Sequence, residues 1–479
     1  MSNLSKMFNY YSINLLIKKL SESKGETITY DDLKNELLKK DSNDNQVYNI
    51  NIKENEDIAI IYYDNVNKNH KKSKNKSKDN ELNNDNDNDN DNDNDNETTN
   101  QIKGLENYCK SYIINKNTLK PFGSQYNKII YNNEALEYIN NNDTWDKFKF
   151  YKCYEGTLLL LYNHNDKWYL STRRCIDSSQ SKWIKNKSYQ EMFNEAVNNT
   201  FSFDELDKNY CYHFVLVHHK NKNIIDYSLE FGENYKKVFH VLTTEKYTLK
   251  EIDYVINENV EIIPEYKFEN QQDLFNTLDK INKENVEYKN IDFEGFVLRV
   301  YNDNDNDIKI LKFQTKIYQN ISKMKPNNNN IYQCYLELFQ KNLLYRFLPY
   351  FTKYNDIINK IHLSIKNLSN EILTLYHLTR QKKNTDLYNN LSSPYKTVLY
   401  NLHGIYIHNK KYSNYFHSIN IHTVYNYLKN LDPSTLRLLF YHRMLLSNNP
   451  DNLKFINQEC IYTSAFTSLM FGNIKLIIK

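Results

Sequence analysis

Glycine, proline and cysteine are scarce in this chain, whose 479 residues include 8 Gly, 7 Pro and 6 Cys. The sequence has no glycine-rich phosphate loop, which excludes P-loop and Rossmann nucleotide sites. The cysteines form no Cys-x-x-Cys pair and have no close histidine partners, which excludes a disulfide framework and a structural zinc site. No apolar run reaches about 18 residues, and no basic segment precedes an apolar core at the start. We therefore expect an intracellular, cytoplasmic protein that is neither secreted nor embedded in a membrane.

The charge is nearly balanced, because 62 lysines and arginines stand against 59 aspartates and glutamates for a net charge of +3. This balance gives no indication of nucleic-acid binding from bulk charge alone. The 42 tyrosines and the many asparagines are residues of AT-rich codons. We therefore assign no function to asparagine clusters or tyrosine repeats by themselves.

Hydrophobic patterning divides the sequence into four segments. A low-complexity Lys-rich and Asp-Asn run near residue 80 has too few apolar residues to offset the entropy of ordering. Short alternating apolar runs follow and predict strands, and the last third of the chain carries apolar residues at helical spacing. The predicted boundaries are a small N-terminal segment at 1–66, a disordered linker at 67–100, an α+β domain of antiparallel sheets at 101–328 and an all-helical C-terminal domain at 329–479.

Five short strings in the α+β segment are the candidates for chemistry, and their order matters more than any one of them. In chain order the strings are Cys153–Thr157, Thr172–Ser178, Phe214–Val217, Glu294–Val297 and Lys312–Lys316.

In order and spacing these strings resemble the motifs of the bacteriophage-type RNA ligase 1 family of covalent nucleotidyltransferases, in a divergent form of the kind found in large DNA viruses. The first falls where the family has Lys-x-Asp-Gly-Ser, and the next two match Lys-Gly-Ser-Ile and Phe-Glu-Leu-Val. The last two match Glu-Gly-Phe-Val and the terminal Lys-x-Lys. The resemblance covers roughly Tyr108–Lys325. It implies a nucleotidyltransferase domain, an ATP-grasp-like ligase fold of antiparallel sheets with helices.

The resemblance also implies a chemistry. In the family a lysine amine attacks the α-phosphate of ATP, and the resulting lysyl-AMP is passed to a 5′-phosphate on RNA. ATP and Mg²⁺ are the implied cofactors, a nucleotide and RNA ends are the implied partners, and no protein partner is indicated. The residues at the family's nucleotide- and phosphate-binding positions are Glu155, Gly156, Arg173, Glu294, Lys312 and Lys316, and Glu294 is also the implied metal ligand.

The sequence departs from the family at the decisive positions. The nucleophile position holds Cys153, the carboxylate of the third motif is replaced by Val215, and Gln314 replaces the second lysine of the last motif. Lys152 lies one residue from the nucleophile position, but adjacent side chains of a strand point to opposite faces. A β-bulge would be needed to aim its amine into the pocket.

Three functions are compatible with this pattern. We expect first a ligase-like pseudoenzyme that has lost lysine adenylylation and retains nucleotide or RNA 5′-phosphate binding. The enzymatic alternative is an active ATP-dependent RNA ligase that uses Lys152 or another lysine as its nucleophile. The third is a structural or interaction protein with a vestigial pocket. The directions of Lys152, Glu155, Glu294 and Lys312 distinguish among them.

Overall fold

A computed structural model of the protein describes most of the chain. The described residues are 13–63, 105, 109–125, 129–140, 145, 148–184, 186–198, 200–301, 308–351, 356–412, 418–447 and 461–471. The predicted linker at 67–100 lies outside them. The chain divides into two compact units, Met1–Lys323 and Met324–Lys479.

The first unit combines strands and helices, which are numbered here in chain order. Its strands are β1 (Ile50–Glu54), β2 (Ile58–Tyr63), β3 (Tyr112–Asn115), β4 (Pro121–Ser124), β5 (Ile130–Tyr131), β6 (Lys149–Cys153), β7 (Thr157–His164), β8 (Lys167–Ser171), β9 (Lys182–Ile184), β10 (Lys187–Ser188), β11 (Tyr210–His218), β12 (Lys236–Glu245), β13 (Glu251–Ile252), β14 (Glu261–Ile262), β15 (Glu265–Tyr266), β16 (Gly295–Tyr301) and β17 (Ile308–Gln314). Its helices are α1 (Ile13–Lys24), α2 (Tyr30–Leu37), α3 (Asn132–Asn140), α4 (Tyr189–Val197), α5 (Ser228–Phe231), α6 (Gln271–Tyr288) and α7 (Lys316–Met324).

The first sheet is antiparallel and has the order β1-β2-β3-β4. Strand β2 is apolar and buried along its whole length because both of its faces are covered. Ala59 and Ile61 pack with residues of α1 and α2, whereas Ile58 and Ile60 pack against Tyr162 of β7. The sheet therefore joins strands that lie on either side of the predicted linker.

The second sheet has the order β13-β12-β11-β7-β8, with β14 added in parallel to β12. One face is closed by α4, which begins at a capping box formed by Ser188 and Glu191. Leu159 of β7 and Phe214 of β11 belong to the same apolar core as Phe193 of α4. Because side chains alternate along a strand, the neighbouring residues of β7 and β11 emerge on the other face.

The third sheet has the order β15-β6-β16-β17-β5. Its outer face packs on α3 and α6 through an aromatic core. This core includes Phe150, Leu274, Phe296, Leu311 and Phe313. The alternate residues of the same strands are left to face away from that core.

The second unit is built from helices wherever the structure describes it, as the spacing of apolar residues predicts. Its core helix buries Ile361, Ile365, Leu368 and Ile372, which recur at the helical period. A buried bidentate ion pair joins Arg443 to this helix: Nε and Nη2 donate to Glu371 at 2.8 and 2.7 Å. The helices are α8 (Ile331–Gln340), α9 (Leu344–Phe347), α10 (Ile357–Tyr376), α11 (Thr385–Asn390), α12 (Ser393–Tyr412), α13 (Ile421–Lys429), α14 (Pro433–Ser447) and α15 (Ile461–Phe471).

The predicted fold class is confirmed: an α+β domain with antiparallel sheets precedes a mostly helical region. Within the described residues, no helix combines the length and the apolar character that crossing a bilayer requires.

Candidate functional site

A cavity of about 960 Å³ lies in the first unit between the second and third sheets, and we call it the cleft. This volume is at the upper end of the roughly 300–1,000 Å³ typical of small-molecule sites. One wall comes from β6, β16 and β17, and the other from β7, β11 and β12. Basic residues outnumber acidic ones in the lining, which therefore favours an anionic ligand. The basic residues are Lys110, Lys149, Lys152, Lys250, Arg299 and Lys312, and the acidic ones are Glu251, Asp253 and Glu265.

Strand alternation decides which side chains of the third sheet enter the cleft. On β6, Cys153 lines the cleft while Phe150 packs into the core below the sheet. On β17, Lys312 lines the cleft, whereas its chain neighbours Leu311 and Phe313 belong to that core. The apolar residues of these strands thus fix the direction of the polar ones.

Cys153, Glu294, Lys312 and Gln314 form one cluster, of which Cys153 and Lys312 line the cleft. Gly295 pairs with both Cys153 and Gln314, so the register brings the residue before it, Glu294, between β6 and β17. Oε1 of Glu294 accepts from Nζ of Lys312 at 2.5 Å and from Nε2 of Gln314 at 2.9 Å. Its Oε2 accepts from Sγ of Cys153 at 3.3 Å. Three of the five sequence strings therefore meet at one carboxylate.

The charges in this cluster are set by burial and by close neighbours. Burial, and then the negative charge of Glu294, raise the pKa of the Cys153 thiol, which is therefore neutral and a weak nucleophile. Burial favours the neutral amine of Lys312, but the adjacent Glu294 carboxylate outweighs it and raises the pKa of Lys312 well above its ordinary value. The cluster is thus an ion pair with a neutral thiol beside it.

Two glycines of the sequence strings are required by close backbone approach. A Cβ on Gly156 would lie 2.5 Å from the carbonyl oxygen of Leu216, and a Cβ on Gly295 would lie 2.0 Å from that of Phe313. No side chain fits at either place without moving a strand. Gly156 also lines the cleft.

The carboxylate of Glu155 is bound by other groups of the protein. Its Oε2 accepts from the backbone N–H groups of Ile224 and Ile225 at 2.8 and 2.7 Å, and its Oε1 accepts from the hydroxyl of Tyr318 at 2.9 Å. Its own N–H donates to the Tyr227 hydroxyl at 2.6 Å. Burial raises the pKa of this carboxyl. The residue therefore joins the β6–β7 turn to the loop before α5 and to α7.

Lys152 does not contact the Cys153 cluster. The pairing of β6 with β16 runs without a bulge, so Lys152 and Cys153 leave the strand on opposite faces. Nζ of Lys152 lies 2.6 Å from Oε1 of Glu230 and 4.5 Å from the ring centroid of Tyr154. The Tyr154 hydroxyl donates to the same carboxylate oxygen at 2.9 Å. The amine is thus part of a separate ion pair.

Arg173 and Lys316 are not brought to the cluster. The buried guanidinium of Arg173 donates to the carbonyl oxygen of Tyr63 at 3.1 Å and lies 4.7 Å from the centroid of that ring. Its contact is therefore with the first sheet. Lys316 is exposed at the first position of α7. Val215, in contrast, lines the cleft where the resemblance places a carboxylate.

Arg299 is a cleft residue that the sequence strings do not contain. Its Nη1 donates to Oε1 of Glu251 at 2.8 Å, and its guanidinium lies 4.2 Å from the centroid of the Tyr151 ring. A signal was present in the sequence, because Arg299 shares the strand face of Gly295 and is the basic residue in an otherwise apolar strand. Its partner is 48 residues away and cannot be found from spacing.

The cluster does not fit the implied metal ligand. Both oxygens of Glu294 are engaged, and one is held by an ammonium group that would repel a cation. Within the described ranges, no three His, Cys, Asp or Glu side chains are arranged to hold a metal ion. Val215 offers no oxygen on the facing wall.

No protein-family model matches the chain, and no curated protein is similar to it in sequence. Solved structures that match part of this chain include "Archaeal ATP-dependent RNA ligase - form 2", with 11% identity and a TM-score of 0.34 over 53% of this chain and 69% of that one. Another is "Putative ATP-dependent DNA ligase from Aquifex aeolicus", with 11% identity and a TM-score of 0.31 over 63% and 75% of the two chains. A third, "Archaeal ATP-dependent RNA ligase - form 1", has 10% identity and a TM-score of 0.31 over 53% and 69%.

These identities and TM-scores are too low to assign this chain to the families of those three proteins. The narrower resemblance to the bacteriophage-type RNA ligase 1 family stays a prediction.

Proposed function

We propose that this chain is a ligase-fold protein that binds a nucleotide in the cleft without forming a covalent lysyl-nucleotide. The observation that carries the proposal is that Cys153, rather than a lysine, lines the cleft beside Lys312, with both side chains bound to the buried Glu294. A lysine nucleophile must be unprotonated and must face the phosphorus. Lys312 is protonated, and Lys152 is bound to Glu230.

The size and lining of the cleft support nucleotide binding. Leu158, Val215 and Tyr151 provide apolar and aromatic surface suited to a base. Lys149 and Lys250 provide positive charge for phosphate oxygens in the same cavity. An adenosine nucleotide is the ligand proposed, and any divalent ion would enter with its phosphates rather than on a protein site. A 5′-phosphate of RNA is the second ligand proposed for these cations.

A labelling experiment tests the absence of covalent chemistry. The protein is incubated with α-labelled ATP, and separately GTP, in the presence of Mg²⁺, and acid-stable label on the chain is measured. We expect none. Label that disappears in Lys152→Ala but persists in Lys280→Ala, an exposed lysine on α6 away from the cleft, would favour the active ligase instead.

A binding experiment tests the cleft as the nucleotide site. ATP affinity is measured by calorimetry for the wild type and for Lys149→Ala combined with Lys250→Ala, and we expect roughly a tenfold loss. The matched control is Lys280→Ala combined with Lys283→Ala, because both lysines are exposed on α6 away from the cleft. Equal affinity in all three proteins, or no binding at all, would favour the vestigial pocket.

The same variants test RNA ends. A 5′-phosphorylated RNA is compared with its 5′-hydroxyl counterpart over a salt series, since each lost phosphate contact lowers the salt dependence. We expect the 5′-phosphate to increase affinity in the wild type and not in the Lys149 and Lys250 double variant. No difference between the two RNAs would exclude the 5′-phosphate as a ligand.

A further inference from the structure

Glu294 is already paired with the ammonium group of Lys312, a cation of the cleft that a nucleotide phosphate would otherwise bind. From this we infer that Glu294 is a specificity-determining residue that lowers the preference of the cleft for highly phosphorylated nucleotides. The inference rests on the proposed function, because it concerns which nucleotide the cleft selects. It assigns Glu294 the opposite effect from the phosphate- and metal-binding role that the sequence resemblance implies.

The geometry of the ion pair carries the inference. Nζ of Lys312 lies 2.5 Å from Oε1 of Glu294, and the two side chains are 15% and 3% exposed. A phosphate oxygen that approaches this ammonium meets a carboxylate already bound at contact distance. The site is largely shielded from water, so the repulsion between that carboxylate and the phosphate is weakly screened.

The carboxylate is also fixed in place. Gln314 donates to the oxygen that Lys312 uses, and Cys153 donates to the other. If a phosphate took Lys312 as its partner, Glu294 would keep only the neutral donors Gln314 and Cys153. An unpaired buried charge is costly, so we expect the pair to persist when a nucleotide binds.

A second cleft cation is paired in the same way. Arg299 donates to Glu251, which also lines the cleft. The positive charge that the cleft offers to phosphates is therefore smaller than its count of basic residues indicates. A ligand with one phosphate, such as a nucleoside monophosphate or a single 5′-phosphate, matches this balance better than a triphosphate does.

Glu294→Gln tests the inference directly. Glutamine retains an acceptor for Lys312 and Gln314 but removes the negative charge. We expect ATP to bind roughly tenfold tighter than in the wild type, with AMP affected less and adenosine unchanged within about twofold. The matched control is Asp292→Asn, which removes the same charge two residues away from an exposed side chain. Unchanged or weaker ATP binding in Glu294→Gln would overturn the inference.

A double variant, Glu294→Gln with Lys312→Met, keeps the test independent of how the single variant folds. Removal of both charges leaves the net charge of the cluster unchanged, so we expect ATP affinity within about threefold of the wild type. A loss of more than about tenfold would show that Lys312 binds phosphate despite Glu294 and would overturn the inference. Absence of binding of adenosine, AMP and ATP by the wild type would instead overturn the proposed function.

Discussion

Replacing Glu155 by alanine removes the acceptor of three buried hydrogen bonds and should strongly destabilise the first unit. The N–H groups of Ile224 and Ile225 both donate to Oε2 and would lose their partner. An orphaned buried donor costs about 1–3 kcal/mol, so these two N–H groups alone give about 2–6 kcal/mol. The Tyr318 hydroxyl, which is the third donor, is left out of this sum.

Glu155→Gln is the matched control, because it keeps the shape and one acceptor oxygen. We expect a loss of less than about 1.5 kcal/mol at neutral pH, since one hydrogen bond is weakened and no donor pair is orphaned. All three tryptophans of the chain, Trp145, Trp168 and Trp183, lie in the first unit. Urea unfolding followed by tryptophan fluorescence therefore reports on this unit. Equal stability of the alanine and glutamine variants would refute the role of the carboxylate.

The stability of the wild type relative to Glu155→Gln should also depend on pH, and the sign of this dependence follows from the pKa of Glu155. Burial raises the pKa of Glu155 in the folded protein above the ordinary value of 4.5. Below pH 4.5 the carboxyl holds its proton in both states. As the pH rises above this value the unfolded state ionises first, so the wild type should lose stability relative to Glu155→Gln until the folded carboxyl has ionised too. A wild type that gains stability relative to the glutamine variant over this range would contradict the assigned shift.

Three further outcomes are expected. Gly295→Ala should destabilise the first unit by about 3 kcal/mol, because the new Cβ would clash with a backbone oxygen. Gly404→Ala is the control: the new Cβ lies in open space on α12, so the variant should gain about 0.5–1 kcal/mol of stability and melt at a higher temperature. Arg443→Met should cost the second unit about 3–5 kcal/mol in thermal unfolding, and adding Glu371→Leu should restore most of the loss because no charge is left unpaired. Cys153 should resist alkylation at pH 8, as followed by peptide mass spectrometry, and should react once urea is added, because burial raises the pKa of its thiol.

Local patterning was sufficient to predict the fold class. The helical spacing of apolar residues predicts the second unit, in which α10 buries one such stripe. Alternation predicts that Lys152 and Cys153 diverge, and β6 does pair regularly with β16. These inferences depend only on neighbours within a few residues of one another.

Contacts between residues far apart in the chain could not be predicted from the sequence. The pattern around Arg173 suits a phosphate ligand, yet its guanidinium binds the carbonyl oxygen of Tyr63 from another sheet. The charge of Glu155 suits a ligand contact, yet its oxygens are taken by backbone N–H groups about 70 residues on. A charged residue in a string reveals its chemistry but not its partner, because the partner is set by sheet order and register.

The residue at position 153 and the ion pair beside it form one electrostatic unit. A lysine at this position would place two ammonium groups next to the single carboxylate of Glu294, which would leave a net positive charge in a buried site. The neutral thiol of Cys153 lets Glu294 and Lys312 balance each other and still supplies a hydrogen bond. Cys153→Lys alone would therefore unbalance the cluster rather than create an unprotonated amine. A neutral thiol at position 153 and the pairing of Lys312 with Glu294 are thus mutually consistent, and both are compatible with the proposed reversible binding in the cleft.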